Sequence, residues 1–523
     1  MNRLFHIFLF ALYPSLFLYT KNMAIVDSLD FALAAAVSLV LAGTVYFFLQ
    51  FVMRERPKQA FLTSATLLLF FSFGQGMTVL SQVHIKTGLF FIGPGKTLLF
   101  LTSLIWLLLF FILKRKGLPQ PITFFLNITS LLLVSFTLFP VLTHSFSTTY
   151  KKNVINPISG NDTTGRRQPD VYFILMDGRA RSDVLRNRFQ YNDSLFCRSL
   201  TSKGFFIAES SFANYNKTIT VLTSILNMDY VPCLAEKSNN SILDLRFFLE
   251  SIRHNTLFYL LRDRGYRITA FDGDGLALFH PEDVDSLVAT PEWDLTPYLN
   301  QFINLSPLPV LIGAFKGNET RRYDHHRNKI LHALESLKTI PGSAYGPHFV
   351  FAHLLLPHEP FIFSRTGKSR YPSYPFSIWH SVQENNWIPA DYDSAYAEQV
   401  KYGDKRILGV IDTLLRYSPH PPIIVLQSDH GPSGRLDLGS VEKSDVHERM
   451  AILNALYLPG IAADWQHKDM TPVNTFRIIL NHYFGDSLPL FPNRNYFDTW
   501  DKPYRFTDIT ERLKRPMQSE VRP

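Results

Sequence analysis

Five apolar runs crowd the first 142 residues of this chain, and they limit its fold more than anything that follows. A bilayer span needs roughly 20 consecutive apolar residues. "FALAAAVSLVLAGTVYFFLQFVM" (31–53), "FLTSATLLLFFSFGQGMTVL" (61–80), "TLLFLTSLIWLLLFFIL" (97–113) and "ITFFLNITSLLLVSFTLFPVL" (122–142) meet or approach that length. "LFHIFLFALYPSLFLY" (4–19) is shorter and carries Pro14; a cleaved signal peptide is its competing reading, although no small-residue cleavage site follows it. We read five spans. "RERPK" (54–58) and "KRK" (114–116) mark the second and fourth connections as cytoplasmic, whereas the first and third hold only Lys21, Lys86 and Lys96. An odd number of spans that begins inside ends outside. Everything after His144 is therefore expected to lie outside the cytoplasm, on a multi-pass protein of the cytoplasmic (inner) membrane.

The mean hydropathy of +0.02 averages this greasy third with a soluble remainder. The formal charge of +8 does not imply a nucleic-acid partner, because Lys and Arg are scattered and form no long basic run. Acidic lipid headgroups fit the charge better. The two cysteines, Cys197 and Cys233, both fall in the outer part, and their spacing leaves a disulfide open.

Four regions follow. Residues 1–143 form a transmembrane anchor of about five helices, and 144–169, "HSFSTTYKKNVINPISGNDTTGRRQP", is a polar aperiodic linker. Residues 170–500 are expected to form one soluble domain and 501–523 a C-terminal tail. Within 170–500, short apolar runs such as "DVYFILMDG" (170–178), "HFVFAHLLL" (348–356), "PIIVLQSDHG" (422–431) and "AILNALYLPG" (451–460) read as strands. Helical stretches separate them, among them "DSAYAEQVKYGDKRILGVIDTLLRY" (393–417). That alternation predicts an α/β sandwich with a mainly parallel central sheet. Ligands then bind beyond the carboxyl ends of the strands.

Two strands place acidic residues there. "VYFILMDG" delivers Asp177, and "IIVLQSDHG" delivers Asp429 and His430. Carboxylates closing strands this apolar are costly unless paired or bound to a cation. Asp and His suit zinc or manganese, with magnesium or calcium as alternatives. Thr218, in "NYNKTITVLTSILN" (214–227), stands where a loop opens into a helix. A hydroxyl there is either a helix cap or, beside a divalent cation, a nucleophile of lowered pKa.

The ordered set of an early Asp, a Thr at a turn, "PHEPF" (357–361), "SDHG" and "HERMAILNALYLPG" (447–460) resembles the sulfatase-like branch of the alkaline phosphatase superfamily, over roughly residues 168–500. With the membrane anchor, the chain resembles lipoteichoic acid synthases and phosphoethanolamine transferases. The resemblance implies an alkaline-phosphatase-like fold and one divalent metal on Asp177, Thr218, Asp429 and His430. It implies Thr218 as nucleophile and His358 and His447 at the transferred phosphoryl group or leaving oxygen. In those transferases a Glu stands where Asp177 stands here. Lys217, beside Thr218, is a candidate substrate contact or a loop cation. His353 reads as packing or support, and Arg449 as a salt bridge or a substrate contact.

A Cys/Ser-x-Pro-x-Arg motif, from which sulfatases make their nucleophile, is absent around Thr218. That favours phosphorus over sulfur. The expected reaction is metal-dependent transfer of a phosphoethanolamine or phosphoglycerol headgroup from a membrane phospholipid to an envelope glycan or glycolipid, through a Thr218 intermediate. A hydrolase using the same site and a silent membrane scaffold are the alternatives. "YDHHRNK" (323–329) reads as surface, since adjacent helical residues diverge by about 100°. Aromatic stretches 290–315 and 371–392 are loops over the sheet or a platform near the bilayer.

Overall fold

The computed structural model describes residues 4–22, 26, 28–87, 93–115, 117–145, 168–237, 245–271, 278–290, 295–313, 318–341, 346–372, 376–378, 390–461, 465–500, 502 and 504–515. Residues 146–167 of the expected linker and most of the 371–392 stretch lie outside the described residues; the first two linker residues, 144 and 145, belong to the last membrane-side helix. The chain divides into two compact units, residues 1–150 with 292–318, and residues 151–291 with 319–523. Residues 292–318 fall by sequence inside the expected 170–500 domain, yet they pack with the N-terminal helices.

The first unit holds α1 (His6–Lys21), α2 (Ser28–Val52), α3 (Arg56–Phe71), α4 (Phe73–Thr87), α5 (Pro94–Arg115) and α6 (Gln120–Ser145). Among the described residues, three helices are long and apolar enough to cross a membrane, α2, α5 and the 121–142 part of α6. α3 and residues 73–80 of α4 pass together as a fourth, bent by 44°. The expected count of five spans is thus reduced to three, or four with the bent pair. The reason is the first run, which forms only 16 helical residues, about 24 Å at the helical rise.

Contacts within this unit fix the helix directions. The His6 backbone N–H reaches Asn127 Oδ1 (3.1 Å) and Thr20 Oγ1 reaches the Thr137 carbonyl (3.1 Å), so α1 and α6 run parallel. The rings of Tyr19 and Phe31, 4.8 Å apart, join the end of α1 to the start of α2. Leu49, Met53, Leu62 and Leu113 gather the end of α2, the start of α3 and the end of α5 at the opposite pole. Both basic runs flank that pole.

The second unit is built on a seven-stranded sheet of β1 (Val171–Met176), β2 (Phe206–Ile207), β3 (Arg267–Phe271), β4 (Ser286–Val288), β5 (His348–Leu354), β6 (Ile423–Gln427) and β7 (Asn454–Tyr457). Their order is β2-β7-β6-β1-β5-β3-β4, and only β7 runs against its neighbours β2 and β6. The expected mainly parallel sheet is what forms. β1 is buried along its whole length, which explains why "VYFILM" has no polar alternation. Tyr172, Ile174, Met176, Val350, Ala352 and Leu354 face one core layer. Phe173 faces the other way, against Phe351 and Phe476. Two further helices matter for the site, α7 (Thr218–Asn227) and α8 (Tyr392–Tyr417).

Candidate active site

Strand register assembles the site. Leu175 of β1 pairs with Gln427 of β6 on one side and with His353 of β5 on the other. Two residues further along, Asp177 and Asp429 leave the ends of adjacent parallel strands side by side. Side chains alternate with period two, so His353 shares the face of Leu175 and Asp177. Its Nε2 lies 2.9 Å from Asp177 Oδ2.

Two glycines make the turns possible. Gly178 takes φ +76° and its N–H donates to Asp429 Oδ1 at 3.2 Å. A Cβ on Gly431 would stand 1.9 Å from the Glu448 carbonyl oxygen, so "SDHG" tolerates nothing larger at its last position.

Thr218 opens α7, but its hydroxyl does not cap the helix. Oγ1 donates to Asp429 Oδ2 at 2.7 Å and lies 3.1 Å from His430 Nε2. The cap reading is not what forms: Lys217 stands at the N-cap, and no side chain caps the helix. The imidazole of His430 has its Nδ1 3.0 Å from the Gly431 carbonyl, which assigns the proton to Nδ1 and leaves a lone pair on Nε2. That lone pair faces Asp429 Oδ2 at 3.2 Å and Asp177 Oδ1 at 3.9 Å.

Such a cluster of acceptors is unfavourable by itself. Asp177 is 3% and Asp429 0% exposed, and Asp177 Oδ1 is buried without a hydrogen-bond partner. Burial, and then the charge of Asp177, push the Asp429 carboxyl up to about 6. Burial likewise drives His430 well below its ordinary value, so it is neutral. A cation among these atoms would satisfy the orphaned oxygen and the lone pair together, and the residues therefore fit one. Asp177, His353 and Asp429 offer ligand atoms within 4.8 Å of one another. His353, which the sequence reads as packing or support, stands within this group of possible ligands.

The other expected residues are placed differently. His358 lines a small cleft beside the cluster with Gly178, Tyr392, His430, Ser433 and Arg449. The ammonium of Lys217 lies 2.6 Å from the carboxylate of Asp498, which is 2% exposed, and 5.6 Å from the Trp500 ring centre. Its charge is already matched, and it holds the loop before Thr218. The imidazole Nε2 of His447 meets the Leu513 carbonyl at 3.1 Å and its ring packs on Phe212. These contacts do not join His447 to the carboxylates.

Arg449, ambiguous in sequence, is 1% exposed and lines the cleft. Nε donates to the Asn216 carbonyl and Nη1 to the Gly431 carbonyl and Ser433 Oγ, each at 2.9 Å. It ties the loop before Thr218 to the loop after His430. Among the described residues no carboxylate comes within ion-pair distance of it. Cys197 and Cys233 are not bonded to each other.

This geometry can be set beside known proteins. The family model described as Sulfatase matches residues 169–476. No curated protein matches the chain. Among solved structures, the fold is similar to the C-terminal periplasmic domain of EcEptC from Escherichia coli in complex with Zn, with 12% identity, a TM-score of 0.44 and coverage of 66% of this chain and 94% of that one. It is similar to the integral membrane protein lipooligosaccharide phosphoethanolamine transferase A from Neisseria meningitidis (14% identity, TM-score 0.40, 73% and 68% covered). It is also similar to a putative sulfatase from Bacteroides thetaiotaomicron (14%, 0.41, 64% and 74%). With a family model covering more than half its length, the chain belongs to the sulfatase family and is a sulfatase-like enzyme of the alkaline phosphatase superfamily.

Proposed function

We propose that the protein transfers a phospho-headgroup, phosphoethanolamine or phosphoglycerol, from a membrane phospholipid to an envelope glycan or glycolipid through a covalent intermediate on Thr218. The observation that carries this reading is the Thr218 hydroxyl, 2.7 Å from Asp429 and 3.1 Å from His430 Nε2 at the start of α7. The nucleophile is a threonine, and the motif that sulfatases convert to an aldehyde hydrate is absent.

Asp177, Thr218, His353, Asp429 and His430 are the residues that would hold one divalent cation, zinc or manganese. When bound, it supplies Lewis acidity and lowers the pKa of the Thr218 hydroxyl. The remaining work falls to side chains. Thr218 Oγ1 forms a bond to phosphorus while the bond from phosphorus to the diacylglycerol oxygen breaks. The hydroxyl proton is released to solvent, and Asp429, which accepts the hydrogen bond from Thr218 in the resting site, stays ionised. The positive end of α7 favours the developing negative charge. Arg449 holds an equatorial oxygen of the phosphoryl group, and His358 delivers a proton to the leaving diacylglycerol oxygen. An acceptor hydroxyl then displaces Thr218 by the reverse sequence.

Helix directions support a catalytic unit outside the cytoplasm. α6 leaves the bundle at the pole opposite both basic runs, parallel to α1. The donor would then be a phospholipid of the outer leaflet, and the protein a multi-pass protein of the inner membrane.

The test uses the full chain in vesicles of phosphatidylethanolamine or phosphatidylglycerol with added zinc or manganese. Diacylglycerol should accumulate with one of these lipids and should not with Thr218→Ala. Turnover of an aryl sulfate with no diacylglycerol from either lipid would overturn the proposal in favour of a sulfatase.

A further inference from the structure

The chain leaves the catalytic unit at residue 291 and enters the membrane unit, where it forms the Pro297–Asn304 and Leu308–Gly313 helices. This excursion is seated deeply. Tyr298 Oη donates to the Ser15 carbonyl at 2.8 Å. Ser15 lies six residues before the end of α1, about 9 Å down its axis. The ring of Phe302 stands 5.4 Å from that of Phe71, and the Gly74 N–H donates to the Leu305 carbonyl at 2.9 Å.

Two glycines in the spans leave room for the excursion. A Cβ on Gly74 would stand 2.2 Å from the Asn304 carbonyl oxygen, and one on Gly95 would stand 3.1 Å from both γ-methyls of Val310. Ser15, the α3–α4 junction and the start of α5 all lie toward one pole of the bundle, opposite the two basic runs.

The outer surface of the second short helix is apolar. "LPVLIG" carries no polar side chain, and Leu308, Leu311 and Ile312 are 38%, 44% and 50% exposed. Val310 of the same helix packs at Gly95 in the first turn of α5, and further along α5 Phe100, Leu101, Leu104 and Ile105 are exposed in the same way. In a helix that crosses a bilayer those side chains face lipid. The helix that carries the patch thus packs on that span with no polar side chain of its own.

We infer that residues 295–313 are a membrane-embedded element, in which the Leu308–Gly313 helix dips into the leaflet at the pole opposite the basic runs and is covered by phospholipid acyl chains. Tyr298, Phe302 and Leu305 pin it to the spans. Leu308, Leu311 and Ile312 take lipid. The inference does not depend on the reaction at Thr218.

The test uses the full chain with Cys197→Ser and Cys233→Ser in vesicles of phosphatidylcholine brominated on its acyl chains. A bimane label is placed singly on Leu311→Cys or Ile312→Cys, with the bimane adduct of glutathione in the same vesicles as the water-phase reference. Fluorescence at both positions should fall severalfold relative to unbrominated vesicles and should not change for the reference. Unchanged fluorescence at both 311 and 312 would overturn the inference. Should a cysteine variant fold poorly, photo-crosslinking of the unmodified chain with an acyl-diazirine phospholipid decides the same question. Adducts on the peptide covering 308–313 support lipid cover, and adducts confined to the spans refute it.

Discussion

Metal affinity should fall as pH drops through about 6, and one named carboxylate should set that midpoint. In the metal-free site, burial and the neighbouring Asp177 raise Asp429 to about 6. The sign follows from the proton count. Between the ordinary carboxylate range and about 6, the folded metal-free protein holds a proton that the unfolded chain has lost. Its stability from this group is present at low pH and is lost as pH rises through about 6, in total about 3 kcal/mol for a shift of about two units. A cation needs the carboxylate ionised, so binding restores that stability and expels the proton. At about pH 5 roughly one molecule in ten has Asp429 ionised, against nearly all at about pH 7.5, so apparent affinity should differ about tenfold. Equilibrium dialysis of the detergent-solubilised full chain against buffered zinc or manganese, followed by metal analysis, measures it. Asp177→Asn removes the second cause of the shift and should move the midpoint below that of the parent. Affinity that stays flat across this range, or a midpoint that ignores Asp177→Asn, would refute the coupled-carboxylate account.

Three further outcomes follow from side-chain contacts. His353→Ala should weaken metal binding by at least about tenfold, as loss of a ligand or its close support does, while His447→Ala leaves dialysis affinity unchanged. Arg449→Gln should lower diacylglycerol release by about 10²-fold or more with metal content retained, the size expected for removal of one charge-stabilising donor. Lys217→Met strands the buried Asp498 carboxylate and should cost about 1–3 kcal/mol in thermal unfolding; Lys217→Met with Asp498→Asn should recover most of it, as a role in the ion pair requires.

The carboxylate cluster was legible because its residues contradict their surroundings. Asp177 ends a strand with no charged residue, and the Asp429-His430 pair follows one whose interior is apolar up to Gln427; a charged group at the end of a buried strand asks for a partner. His353 was harder to see. It interrupts "HFVFAHLLL" within the strand, and only the register with Leu175 shows that it shares the face of Asp177. Lys217 is singled out by its place beside Thr218, and His447 by the resemblance. Their partners, Asp498 and Leu513, lie 281 and 66 residues away, beyond any local pattern. The sequence leaves the 290–315 stretch between a loop over the sheet and a platform near the bilayer, because an apolar loop can cover a sheet as readily as it can meet a span; residues 292–318 join the first unit. The first apolar run was over-read as a full span because composition counts apolar residues and not the length of helix they form.

The central claim is that Thr218 carries the phosphoryl group. It is tested most directly by intact-mass and peptide mass spectrometry of the full chain, quenched after incubation with phosphatidylethanolamine or phosphatidylglycerol and zinc or manganese, beside Thr218→Ala. The account predicts a headgroup-phosphate adduct on the peptide that begins α7, absent from the variant. Diacylglycerol release with no adduct on that peptide, or an adduct that persists in Thr218→Ala, would contradict it.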